Sequence, residues 1–302
     1  MPQKTHIPPL VPNQPPWPSL GFVLSLALLG AYLGQLVGNS LAFSGIKHAA
    51  DMDTASLIKA LLLMQAITAS SAFIVAPWFY LRFCVHQNVQ TLFQWQQGYT
   101  TPILLTLGLT LAFMIVNTWF IQWNITVKLP PQLRAFEIWA QEKEETLQKF
   151  TILVTTFHSL KALGIGLVVI GVIPAIGEEL LFRGIVQQIC YKLTHNVHGA
   201  IGISAFIFSA IHLQFYGLVP RFLLGALFGY IFWWTKDLAF PIAAHLFNNA
   251  FVLLMRFLYQ QGSITQDITK PIVPTKAALC CAALLVVVLA HYLRQLSKKH
   301  NT

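Results

Sequence analysis

The sequence predicts an all-α membrane protein, a polytopic bundle of eight or nine transmembrane helices. Three observations carry this. Of its 302 residues, 56% are hydrophobic and only 10% are charged, with a mean hydropathy of +0.63; a soluble domain carries about 25% charged residues. The apolar residues fall into runs near the ~20 residues that a membrane helix needs. No segment alternates as a barrel strand would.

The elements follow in order. A Pro-rich tail (Pro8, Pro9, Pro12, Pro15, Pro16, Pro18) is too polar for a signal-peptide apolar region and precedes the first span. Spans are expected at Ser19–Phe43, at Leu57–Cys84 with a break near Pro77, and at Pro102–Trp123. Trp78, Trp95, Trp119 and Trp123 lie near span ends, where aromatic belts form. Residues 128–150 concentrate charge behind Pro130-Pro131, while Leu133, Phe136, Trp139 and Ala140 recur at helical spacing. This predicts an amphipathic helix at the interface. Shorter runs follow: Thr151–Ile176, Leu180–Leu193, Ala200–Phe215, Leu218–Trp234, Leu238–Tyr259 and Thr275–Leu293. Pro174, Pro220 and Pro241 punctuate them. Broken helices at membrane depth need protein or a water-filled cavity around them, so the functional core is expected within about 150–260. Whether 151–176 is one helix or two decides between eight and nine.

The formal charge of +9 fits membrane-flanking Lys and Arg. No basic stripe is interleaved with aromatics, so nucleic acid is not an expected partner. Cys84, Cys190, Cys280 and Cys281 lie in or beside apolar runs without C-x-x-C spacing, which predicts neither disulfides nor a cysteine zinc site. His195 and His198 are read as loop residues.

Polar groups inside the apolar core are the candidates for function, because each is costly in a bilayer. Glu178 and Glu179 are adjacent, and Glu179 is four residues before Arg183, so these two share a helix face. Glu178 is rotated about 100° away. Phe208 precedes His212 by one turn on an otherwise apolar helix. His245 and Asn249 again share a face, with Asn248 rotated off it. These groups are expected to converge. A carboxylate and an imidazole can deprotonate water, or can ligate a divalent metal that acidifies it. A second His and an Asn can donate to an oxyanion. The set suits amide hydrolysis. There is no H-E-x-x-H, no G-x-S-x-G and no G-x-G-D, which removes ordinary zincins, serine hydrolases of the elbow type and aspartyl intramembrane proteases.

Glu178-Glu179-x-x-x-Arg183, Phe208-x-x-x-His212 and His245-x-x-x-Asn249, in order on successive helices, resemble the CPBP family of type II CAAX prenyl endopeptidases and bacteriocin-processing or abortive-infection proteins. The resemblance covers roughly 170–255. It implies an intramembrane metalloprotease-like endopeptidase with a catalytic cavity inside the bilayer. By that analogy Glu178 and His212 activate the water, and His245 and Asn249 stabilise the oxyanion. Glu179 and Arg183 brace the site, with Phe208 in support. Zinc held by Glu178, His212 and His245, and a metal-free glutamate mechanism, both remain open. The implied partners are the lipid bilayer and a peptide or membrane-anchored protein substrate, with lipidated tails included. A bacterial cytoplasmic membrane is the expected location. The chain is then expected to divide into a tail (1–18), N-terminal membrane helices (19–127), the interfacial segment (128–150), a catalytic core (151–260) and a C-terminal helix with a basic tail (275–302). Two other readings of the same residues stand beside this one. In one, the chain is a non-catalytic immunity or scaffold protein; in the other, it is an ion or metal transporter.

Overall fold

The computed structural model describes residues 15–44, 52–93, 98–267 and 273–300. Trp95 and most of the Pro-rich tail lie outside them. Among the described residues there is no strand, and nine long helices dominate. They are α1 (Pro16–Ala42), α2 (Thr54–Cys84), α3 (Thr100–Thr126), α4 (Arg134–Val154), α5 (Leu160–Thr194), α6 (Val197–Ala210), α7 (Leu218–Thr235), α8 (Ala239–Gln260) and α9 (Lys276–His300).

Seven of these are long and apolar enough to cross a membrane: α1, α2, α3, α5, α8, α9, and α7 together with its leading turn. Helix α6 is shorter but equally apolar. That makes eight apolar helices among the described residues, the lower of the two expected counts. The outer helices α1, α3 and α9 expose rows of large apolar side chains such as Leu28, Leu104 and Val287, as a lipid-facing surface does.

Helix α5 differs from the expected pattern. Residues 160–194 form one continuous 35-residue helix instead of separate runs ending at Ile176 and Leu193. At 1.5 Å per residue it is about 50 Å long, against a hydrocarbon core of about 30 Å. It is continuous because π-turns at Leu167–Val172 and Phe182–Val186 absorb the irregularities. Pro174 has no N–H, and the turn before it re-registers, with Ile173 N–H donating to the Val168 carbonyl. Helix α2 handles Pro77 similarly, with a π-turn at Ser71–Val75.

Two boundaries also move. Helix α1 starts at Pro16, where proline's fixed φ suits a first turn. Helix α4 runs on to Val154, so Thr151–Val154 end the amphipathic helix and do not open a span. Its charged face (Glu142, Lys143, Glu145, Lys149) is exposed, while Ala140 and Val154 are buried.

Helix α5 is the centre of the bundle. It packs on α2, α6 and α8 and supplies much of the largest buried cluster, including Leu181, Phe182, Ile185 and Ile189. Close approach of α2 depends on Gly177, where an added Cβ would lie 2.7 Å from the Phe73 Cβ.

Candidate active site

Helix α5 carries Glu178, Glu179 and Arg183, and all three are buried. The i, i+4 spacing does what helix geometry dictates: Arg183 Nη1 donates to Glu179 Oε1 at 2.9 Å. Helix α8 brings His245 to the same oxygen, with Nδ1 at 2.8 Å. A carboxylate only accepts, so this contact assigns the Nδ1 proton to His245. Nε2 of His245 then faces Glu178, 3.9 Å from its Oε2 and beyond hydrogen-bond reach. Glu179 therefore ties α5 to α8 from inside, and Glu178 is left with a looser contact.

The rest of the cluster locks Arg183. Its Nη2 donates to the Gly225 carbonyl of α7 at 2.6 Å. One turn along, Gln187 Nε2 donates to the Gly229 carbonyl at 3.1 Å. Two side chains four apart thus meet two carbonyls four apart, which fixes the register of α5 against α7. Both acceptors are glycine, and an added Cβ would be crowded: at Gly225 it would lie 3.0 Å from the Phe208 ring, and at Gly229 2.8 Å from Gln187 Oε1. The guanidinium lies between two rings, 5.0 Å from the Phe208 centroid and 5.5 Å from that of Phe228. Phe228 also stacks on His245 at 5.1 Å.

His212 is placed differently from the expectation. Helix α6 ends at Ala210, and His212 sits in the turn just beyond it, before Leu213 with φ 53°. Its Nδ1 lies 2.8 Å from the Phe208 carbonyl, which again can only accept. The Nε2 lone pair is thereby free for a water or a proton. The Phe208 ring connects the groups, with centroids 5.2 Å from His212 and 6.2 Å from His245.

Asn249 has a backbone task. The fourth residue after Ile170 is Pro174, which cannot donate to the Ile170 carbonyl. Asn249 Nδ2 does so instead, at 3.3 Å, while its Oδ1 accepts from Asn248 Nδ2 at 3.1 Å. One amide N–H of Asn249 is left for another acceptor.

His195 ends α5 in a left-handed conformation. His198 is not in a loop; it lies in the first turn of α6, with Nδ1 2.6 Å from the Tyr230 hydroxyl. Neither joins the cluster. Among the described residues, no three His, Cys, Asp or Glu side chains are grouped to hold a metal ion. His212 and His245 each set Nδ1 against an oxygen and keep Nε2 for another partner, so with Glu178 they are the residues that would hold a zinc ion. No step below is routed through a metal.

Spacing alone could not reveal the partners of Arg183. Gln187, Gly225, Gly229 and Phe228 needed the register of α5 on α7. In retrospect Arg183-x-x-x-Gln187 and Gly225-x-x-x-Gly229 were its trace.

Residues 161–251, from the start of α5 into α8, match the family described as type II CAAX prenyl endopeptidase Rce1-like. Over this segment the chain is similar to that family. It contains every residue of the cluster above, so the family match and the three motifs coincide. Two curated relatives agree in kind. The chain is 28% identical over 111 residues to the putative membrane peptidase YdiL of Bacillus subtilis, covering 37% of this chain and 45% of that protein. It is 29% identical over 97 residues to the membrane-embedded CAAX protease MroQ of Staphylococcus aureus, covering 30% of this chain and 38% of that one. The match thus spans less than half the length of either relative. No solved structure matches. Outside the Rce1-like segment, α1 to α4 and α9 have the character of membrane and interfacial helices.

Proposed function

We propose that the protein is an intramembrane endopeptidase that hydrolyses a peptide bond at the membrane, with Glu178 as the base. The observation that carries this is the unequal treatment of two adjacent carboxylates. Glu179 gives Oε1 to both His245 and Arg183, with Oε2 buried and unpartnered among the described residues, whereas the printed polar contact of Glu178 among those residues is the 3.9 Å approach to His245. A catalytic carboxylate needs that freedom, and a brace does not.

In this reading Glu178 takes a proton from water while the free Nε2 of His212 holds the water. The water oxygen bonds to the scissile carbonyl carbon. The charge that develops on the carbonyl oxygen meets the remaining N–H of Asn249, with His245, held by Glu179, beside it. Glu178 returns its proton to the leaving amine as the C–N bond breaks. The substrate class is a peptide or membrane-anchored protein, lipidated tails included, and the setting is a bacterial cytoplasmic membrane. The names of the relatives support that class without extending it to this chain.

The test is cleavage of quenched peptides, with and without an S-prenyl group, by detergent-purified wild type, Glu178→Gln and His212→Ala. Both variants are expected to stay folded and to lose cleavage. Cleavage at wild-type rate by Glu178→Gln sinks the mechanism. Elemental analysis of the same samples adds a second reading. About one zinc per chain, lost in both variants, would mean that the three expected ligands close on a metal.

A further inference from the structure

Helix α4 reaches the site through the turn that carries His212. Residues 211–217 join α6 to α7, and His212 stands near their start. Its own polar contact is with its helix end, Nδ1 against the Phe208 carbonyl. The next residue, Leu213, has φ 53°, a left-handed conformation that a leucine keeps only where its surroundings hold it. Beyond it, three successive residues of the turn meet α4. Gln214 Nε2 donates to Glu144 Oε1 at 3.2 Å, and Gln141 Nε2 donates to the Tyr216 hydroxyl at 3.3 Å. The Phe136 ring meets the Phe215 ring edge-on, with centroids 5.6 Å apart.

Glu144 is set apart within its own charged run. Glu142, Lys143 and Glu145 are exposed, whereas Glu144 is half-buried. Gln214 uses both of its polar atoms. Its Nε2 goes to the Glu144 carboxylate, and its Oε1 accepts from Nη2 of Arg221, in the first turn of α7, at 2.6 Å. An acid, an amide and a guanidinium thus form one line from α4 through the turn to α7. On the other side Asn124 of α3 donates to the Phe215 carbonyl at 3.4 Å and accepts from the Val219 N–H at 3.0 Å. Gln214 stands nearer to His212 in the chain than either of these. We propose that Glu144 and Gln214 are positioning residues, through which the interfacial helix α4 holds the 211–217 turn and sets the place of the His212 imidazole. This rests on the peptidase reading for the work of His212. It adds that α4, at 134–154 and outside the matched segment 161–251, controls a site built within that segment.

The experiment compares full-length wild type, Glu144→Ala, Glu144→Gln, Gln214→Ala and, as a milder change, Tyr216→Phe in detergent. Amide hydrogen exchange over 211–217 reads the turn directly, and kcat and KM on the quenched peptides read the site. Glu144→Ala and Gln214→Ala are expected to speed exchange in this segment roughly tenfold, the scale of one lost hydrogen bond to a charged group. Their kcat should fall about 10²-fold, as a misplacement of about 1 Å can cause. KM and the exchange of α5 and α8 should not change. Glu144→Gln keeps an accepting oxygen and should recover most of both losses. If Gln214→Ala does not fold, Glu144→Ala and Tyr216→Phe still read the turn.

Exchange over 211–217 that neither alanine variant alters overturns the assignment and gives the hold to Asn124; the peptidase reading stands as long as wild type cleaves. A looser turn with kcat intact also overturns it, since His212 then does not depend on α4. A rise in KM at constant kcat overturns positioning and makes α4 a substrate contact. If wild type cleaves none of the peptides, the peptidase reading falls, and exchange over 211–217 by itself upholds or overturns the tie to α4.

Discussion

Glu178 and Glu179 are neighbours in sequence and unlike in every other respect. Glu179 is fully buried and receives two bonds of 2.8 and 2.9 Å from two helices. Glu178 retains some exposure, and its ion-pair contact is 3.9 Å long. On one side of the site bonds of ordinary length tie α5 to α7 and α8 into a knot, although Glu179 Oε2, Arg183 Nε and Gln187 Oε1 stay unpartnered among the described residues. On the other side, Glu178 makes a looser contact and His212 keeps Nε2 for another partner. A buried ionic network of the first kind sets helix register, and groups of the second kind can meet a substrate.

The comparison breaks first at the knot. Arg183→Ala leaves Glu179 buried without its ion partner and removes the α5–α7 register bond. Breaking a buried pair in this way costs about 3–5 kcal/mol. Thermal unfolding in detergent should show a collapse in stability, with activity lost as a consequence. An Arg183→Ala protein that unfolds like wild type would mean that the knot does not hold the fold.

The opposite signature is expected on the open side. Glu178→Gln keeps the shape and should leave the unfolding transition close to wild type, while cleavage falls by about 10²–10⁴-fold, the range for a positioned acid-base group. Loss of folding in step with activity would erase the distinction between the two carboxylates.

Asn249 sits between the two sides. It donates to the Ile170 carbonyl in the turn before Pro174, and it retains one N–H for an oxyanion. Asn249→Ala should cost about 1–2 kcal/mol of stability and cleavage as well. Pro174→Ala adds a backbone N–H and lets the turn return to the α register, in which that N–H reaches the Ile170 carbonyl. In the double variant stability should recover in part, while activity should not. Recovery of both would make Asn249 purely structural.

How much of this could be read from the chain follows from distance along it. Within one helix, 3.6 residues per turn makes the Glu179–Arg183 pair legible, and three ordered motifs made the Rce1-like core legible. The continuity of α5 was hidden because Pro174 and the charges at 178–179 look like a break. A π-turn, which no residue type announces, carries the helix through. His212 was read onto α6 because Ile211 and Leu213 continue the apolar run, yet the helix stops at Ala210. The contacts of Arg183 and Gln187 with Gly225 and Gly229 depend on how two helices slide past each other, and periodicity within either helix says nothing about that.

Lys236 is a partly buried cation to set beside Arg183, nine residues before His245 and just past the end of α7. Its Nζ is buried without a hydrogen-bond partner, 3.2 Å from the Trp233 ring centroid. Burial pulls its pKa down to about 7, against the attraction of the ring for the charged form. The sign follows. Between about 7 and the unfolded value near 10.4, the unfolded chain holds the extra proton, so stability rises with pH across that window. Below about 7 both states are protonated, and the full penalty applies. Unfolding temperature in detergent should therefore climb from pH 7 to pH 10, and Lys236→Met should flatten that climb. A slope that survives the substitution would move the cause elsewhere. A lysine can relieve its burial by giving up a proton, and an arginine cannot.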